Sequence, residues 1–268
     1  MSEKKPVLIL AGDSRINGFD KFNYEGFRTR FIIKRGALVE DLIDDTLEKV
    51  RDYKDENRDV IVKIAVGINE FTEFVKTDQG RFIKYKGTLC KSVIRKVRSF
   101  KEKIKSIRPS TVVGLVTVPS LSFRANRDFR IKENSPVGKA KSKNSKPSGQ
   151  IPTIISNEEL ERDQRKLDSE LLGLNADIKL ENSRKQSGLL KGCFTVSWHN
   201  SISKWSIRKR RSGSRKVIRN SFKELYDGLH AKHTLKRKWH AQLLKTANSE
   251  LKLIKDYNLK TTKVTVNV

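Results

Sequence analysis

The sequence predicts an α/β fold, a doubly wound parallel sheet of five strands flanked by helices. Two observations predict it. Short apolar, β-branched runs bounded by Gly, Pro or Asp recur along the chain, and segments with apolar residues at three-to-four spacing lie between them. A third observation sets the scale. With 268 residues and 36% of them hydrophobic, the chain can bury a core, which excludes disorder throughout.

In order, strands are expected at about residues 6–11, 30–34, 59–66, 111–118 and 192–198. Leu38, Leu42, Ile43, Leu47 and Val50 mark a first helix, and Leu89, Val93, Val97, Ile104 and Ile107 a second that ends before Pro109. The stretch from Lys132 to Gln150 is rich in Lys, Ser, Gly and Pro and nearly free of apolar residues. It reads as a mobile loop within a basic insertion at about 121–156. Asn157 with Glu159 and Glu161 then opens a charged helix whose stripe is Leu160, Leu167, Leu171, Leu174 and Ile178, extending to about Asn182. A last helix, from about His233 to Asp256, buries Leu235, Trp239, Leu243, Leu244 and Leu251. No internal repeat is evident, and residues 1–268 read as a single domain.

Several classes are excluded. No segment approaches the roughly 20 consecutive apolar residues of a membrane span. The start, MSEKK followed by PVLIL, lacks the features of a signal peptide, so an intracellular location, cytoplasmic or nuclear, is expected. Cys90 and Cys193 form no CxxC pair and read as core thiols. His233 and His240, seven apart on one helix face, lack a third ligand of suitable spacing, so no metal is expected, nor any other cofactor.

Charge is the most unusual feature. Lys and Arg number 58 against 31 Asp and Glu, a net +27, and residues 191–268 carry +15 of it. The densest cluster is Lys204, Arg208, Lys209, Arg210, Arg211, Arg215, Lys216 and Arg219, with no acid among them. Such a run attracts phosphate and points to RNA or DNA. A solvated, self-repelling loop and a nuclear import signal in 208–216 are the other readings. Trp205, beside the run, is either a core residue or a platform for a base.

Ligands of open parallel sheets bind beyond the carboxyl ends of the strands. Strand one ends in Ala11-Gly12-Asp13-Ser14, strand two in Lys34-Arg35-Gly36, and strand three in Gly67-Ile68-Asn69-Glu70. Tyr226-Asp227-Gly228-Leu229-His230 precedes the final helix. One sheet edge therefore collects Ser14, Gly36, Asn69, Asp227 and His230. Each of these has a plain structural reading, Ser14 as a turn or cap, Asp227 as an N-cap and His230 as a surface residue at a helix start.

Taken together, GDS, a glycine after strand two, GxN and DxxH in this order resemble the four blocks of the SGNH or GDSL hydrolases, and the resemblance covers most of the chain. It implies a flavodoxin-like three-layer sandwich and a serine ester hydrolase acting on a small acyl ester. In that family pattern Ser14 is the nucleophile, His230 the base and Asp227 its orienting carboxylate. The oxyanion hole is formed by the N–H groups of Ser14 and Gly36 and the amide of Asn69. Glycine at 36 is expected because a side chain would block close approach. Glu70 departs from the usual GxND and is expected to shift the loop that aims Asn69. The insertion and the YDGLH segment are also similar to divergent members carried by invertebrate mobile elements. That likeness, with the basic final third, keeps a second class open, a nucleic-acid-binding protein that retains the fold with little or no catalysis.

Overall fold

Four all-buried or half-buried strands, β1 (Val7–Gly12), β2 (Arg28–Ile33), β3 (Val60–Ala65) and β6 (Val112–Leu115), form one parallel sheet in the order β2-β1-β3-β6 in a computed structural model of the chain. The structure describes residues 4–77, 80–134, 156–187, 189, 191–210 and 213–266. Two antiparallel hairpins stand apart from the sheet, β4 (Thr72–Thr77) with β5 (Gly80–Tyr85) and β7 (Ser203–Arg210) with β8 (Gly213–Asn220). Helices α1 (Ile43–Arg51), α2 (Ile68–Phe71), α3 (Cys90–Ile107), α4 (Phe123–Asn134), α5 (Asn157–Ser183) and α6 (His233–Val266) complete the fold.

Strand periodicity divides the core. Val7, Ile9 and Ala11 face a cluster that includes Leu47 of α1, Val97 of α3 and Leu171 of α5, whereas Leu8 and Leu10 face one built on Trp198 and on Leu235, Trp239 and Leu243 of α6. Helices thus cover both faces, as a doubly wound parallel sheet requires. Trp198 and Trp239 stack at 4.9 Å, and the Trp198 indole donates to the Trp239 carbonyl.

The expected fifth strand is not there. Residues 192–198 contribute a single parallel bridge, Val116 to Val196. The free edge of β6 is completed by carboxamides instead. Gln186 accepts from the Val113 amide and donates to its carbonyl at 3.1 and 2.9 Å, Asn182 does the same for Leu115 at 2.9 and 2.8 Å, and Asn175 for Val118 at 2.7 and 2.9 Å. A carboxamide offers one acceptor and two donors, as a peptide unit offers one of each, so three side chains of α5 and the turn beyond it serve as an edge strand.

Two other expectations change. The insertion begins as a helix, because Phe123 and Asn126 are buried and the Ser122 hydroxyl caps the first turn by accepting from the Ala125 amide at 3.1 Å. Residues 135–155 lie outside those described. The basic run is the hairpin β7–β8, with Lys204 opposite Arg219, Ile207 opposite Lys216 and Arg208 opposite Arg215. Arg211 lies outside the described residues.

Candidate active site

Strand ends set the site. β1 stops at Gly12, where a Cβ would meet the Ala65 carbonyl oxygen at 2.6 Å, so only glycine fits between β1 and β3. Asp13 then turns the chain by accepting from the Arg15 amide and gripping the Arg15 guanidinium at 3.0 and 3.1 Å. Arg15 also donates to the Pro119 carbonyl at 3.3 Å, which pins the Ser14 turn to the segment beyond β6. The same segment holds the other half of the site. Ser122 donates from its amide to the Gly228 carbonyl, and the Asn126 amide group of α4 donates to the Asp227 carbonyl at 3.1 Å. Gly228, at φ +77°, lies so close to the first turn of α4 that a Cβ would sit 2.6 Å from the Ser122 oxygen.

Ser14 and His230, 216 residues apart, meet with Oγ to Nε2 at 3.2 Å. The His230 Nδ1 faces Asp227 Oδ2 at 2.7 Å, and the second oxygen of Asp227 accepts from the Leu229 and His230 amides at 3.0 and 2.7 Å. Burial opposes the Asp227 charge, yet the bonds from the His230 ring and the two amides, with the imidazole beside it, hold its carboxyl below the usual range. The carboxylate therefore stays ionised and fixes the proton of His230 on Nδ1, leaving the Nε2 lone pair toward Ser14. Tyr226 stacks on the His230 ring at 5.7 Å.

Gly36 and Asn69 line one groove of about 790 Å³. At Gly36 the requirement is conformational. Its φ is +70°, a left-handed backbone that favours glycine, and nothing lies within 4 Å of a Cβ there. Asn69 donates one amide hydrogen to the Ala37 carbonyl at 3.0 Å, which leaves the other free. Glu70 is buried, accepts from the Val39 amide at 3.0 Å and pairs with Lys96 at 3.2 Å, tying the Gly36 loop to the Asn69 turn.

The remaining sequence candidates lie elsewhere. The described base of the basic hairpin, Ser203 and Asn220, lines a separate cavity of about 310 Å³ with Ser120, Asp168 and His199. The side chains of 204–219 lie outside the described residues, Trp205 among them. His233 and His240 both stack on Phe22, at 5.7 and 4.8 Å. Sequence reading missed Phe74, Arg81, Lys86 and Arg130, which line the groove with Gly36 and Asn69. The available signal was the aromatic and β-branched content of residues 82–85, which reads weakly as a strand.

The arrangement can activate a hydroxyl, because a serine becomes a nucleophile once an adjacent imidazole takes its proton. The sequence matches no protein-family model and no curated protein. Among solved structures, 94% of the chain matches 99% of a carbohydrate esterase family 3 protein from Talaromyces cellulolyticus, at 10% identity and a TM-score of 0.50. A protein named as a GDSL-like lipase from Parabacteroides merdae matches over 92% of this chain and 97% of its own, at 12% identity and a TM-score of 0.42. The first of these likenesses bears on architecture alone. The chain has an α/β fold with a parallel sheet between helices.

Proposed function

We propose that the protein is a serine ester hydrolase, an esterase or acetylesterase, that works through a covalent acyl-enzyme. The observation that carries this is the hydrogen-bonded chain from Ser14 through His230 to Asp227, at 3.2 and 2.7 Å. In this reading the Ser14 oxygen attacks the acyl carbon while His230 Nε2 takes the hydroxyl proton. The amides of Ser14 and Gly36 and the free hydrogen of Asn69 hold the oxyanion. The C–O bond then breaks as His230 returns the proton to the leaving alcohol. Water, deprotonated by the same imidazole, releases the acid and restores Ser14.

The test is covalent labelling by a fluorophosphonate probe alongside hydrolysis of p-nitrophenyl acetate. Wild type is expected to be labelled at Ser14 and to turn over, and Ser14→Ala and His230→Ala to lose nearly all turnover. Equal rates in wild type and Ser14→Ala sink the proposal. A second reading draws on the hairpin β7–β8, whose strands concentrate Lys204, Arg208, Lys209, Arg210, Arg215, Lys216 and Arg219. It makes the chain a nucleic-acid-binding protein of a mobile element, with the hydrolase fold kept and catalysis slight. The two readings are compatible, since the hairpin base and the groove at Gly36 are lined by different residues.

A further inference from the structure

We propose that the groove beside Gly36 and Asn69 receives a phosphate group carried on the alcohol part of the ester, so that the protein acts on small phosphorylated acyl esters. This deepens the esterase reading and rests on it.

The groove is lined by four cations, Arg35, Arg81, Lys86 and Arg130, against one carboxylate, Asp41. Asp41 is already engaged, accepting from the Leu38 amide at 2.8 Å, and Arg130 is paired with Glu133 at 2.9 Å. Among the described residues, no carboxylate lies within ion-pair distance of Arg35, Arg81 or Lys86, and all three are exposed. Unpaired surface cations are ordinary in a chain of net charge +27. Three converging on the concave surface that holds the expected oxyanion donors are not, because like charges in one cleft repel and raise its affinity for an anion. Arg81 is also held in place, with its guanidinium over the Phe74 ring at 4.3 Å. Two guanidinium forks and an ammonium match the oxygens of a phosphate dianion better than a single carboxylate.

The geometry also chooses the alcohol side. Tyr226, stacked on His230, meets the Phe129 ring edge-on at 5.9 Å, and the Arg130 guanidinium lies over that ring at 5.9 Å, which puts the Arg130 end of the groove on the His230 side. The leaving alcohol must come within proton reach of His230, so its substituent points toward this end of the groove. The phosphate is not cleaved. The acyl C–O bond breaks, the proton taken from Ser14 passes through His230 to the alcohol oxygen, and the phosphorylated alcohol leaves intact.

The test compares acetate release from 4-acetoxyphenyl phosphate with that from phenyl acetate at low ionic strength, in wild type and in Arg81→Gln/Lys86→Gln. Wild type is expected to favour the phosphorylated ester by about tenfold or more in kcat/KM, and the double variant to bring that ratio close to one. A ratio near one in wild type, or one unchanged in the variant, overturns the proposal. If neither ester is hydrolysed, the esterase reading fails on its own. Calorimetric titration with inorganic pyrophosphate then decides the anion site, weaker binding by the double variant supporting it and no binding by wild type overturning it. Inhibition of phenyl acetate hydrolysis by vesicles of acidic phospholipid, without inhibition by pyrophosphate, would assign the groove to a membrane surface and overturn the soluble substrate.

Discussion

Replacing Asn182 by Leu tests the carboxamide edge of the sheet directly. Asn182 is fully buried, and its side chain serves the Leu115 amide at 2.9 Å and the Leu115 carbonyl at 2.8 Å, with a third bond to the Thr195 hydroxyl at 3.0 Å. Leucine has nearly the same volume but no polar atom, so two buried backbone groups lose their partners at about 1–3 kcal/mol each. The added apolar contact returns roughly 1–2 kcal/mol, which at the middle of these ranges leaves a net loss of about 2.5 kcal/mol. That is a large part of the roughly 5–15 kcal/mol that holds a domain folded. Urea denaturation is the assay, with the midpoint lower at an unchanged slope. Hydrogen exchange at the Leu115 amide should speed up more than at the Ile61 amide in the middle of the sheet. Leu180→Ala, at a position 56% exposed on the same helix, serves as the control and should change stability by less than about 0.5 kcal/mol. A loss below that size for Asn182→Leu would show that water or the 192–198 segment completes β6, and the edge argument would fail.

Two further outcomes are expected. The His199 ring donates from Nδ1 to the Thr117 hydroxyl at 2.9 Å and accepts from Lys179 at 3.3 Å, and burial with the nearby Lys179 charge lowers its pKa to about 4. The unfolded chain protonates His199 near 6.5, so stability is full above that pH and falls until about 4; His199→Gln should remove about 2 kcal/mol of the loss seen by urea titration between pH 7 and 4.5. The hairpin reading predicts salt-sensitive, weakly sequence-selective binding of RNA or DNA, with a slope of log K against log salt of about −0.7 to −0.9 per neutralised phosphate. Changing Arg208, Lys209, Arg210 and Arg211 to Ala should flatten that slope in fluorescence anisotropy, and undiminished binding would move the site elsewhere.

What the sequence made legible is what local pattern dictates. Val7 to Ala11 and Val60 to Val66 read as buried strands because both faces of a parallel strand are covered, and Ser14, Gly36 and Asn69 follow strand ends, where a ligand can reach them. Side chains acting out of type were not legible. Asn175 and Asn182 fall in the expected charged helix and Gln186 just beyond it, with nothing in the pattern to mark them, yet they replace a strand, which is why five strands became four and a bridge. Lys63 stands in an apolar run, fully buried against Glu250 at 2.5 Å, and Gly114 is glycine because a Cβ would meet the Lys63 Nζ at 2.4 Å. The hairpin β4–β5 was missed because Thr72–Thr77 and Gly80–Tyr85 mix charges with aromatic and β-branched residues and leave no clean apolar face.

Charge placement then connects the fold to the groove. Three carboxylates hold buried cations: Asp13 holds Arg15, Glu250 holds Lys63 and Glu181 holds Lys101, each pair almost free of solvent. Buried pairs add little net stability, because desolvation consumes most of their attraction, but losing one partner strands a charge and is severe. Their effect is therefore on position. The Asp13–Arg15 pair, through the Pro119 carbonyl, fixes the Ser14 turn to the same 119–122 segment that braces Gly228 and the Asp227–His230 loop. Two loops distant in sequence thus share one support, and the 3.2 Å contact between Ser14 and His230 follows from that shared anchor. The open cleft at Gly36 holds four cations to one carboxylate, and the excess of cations that makes the chain basic is what the proposed anion site draws on.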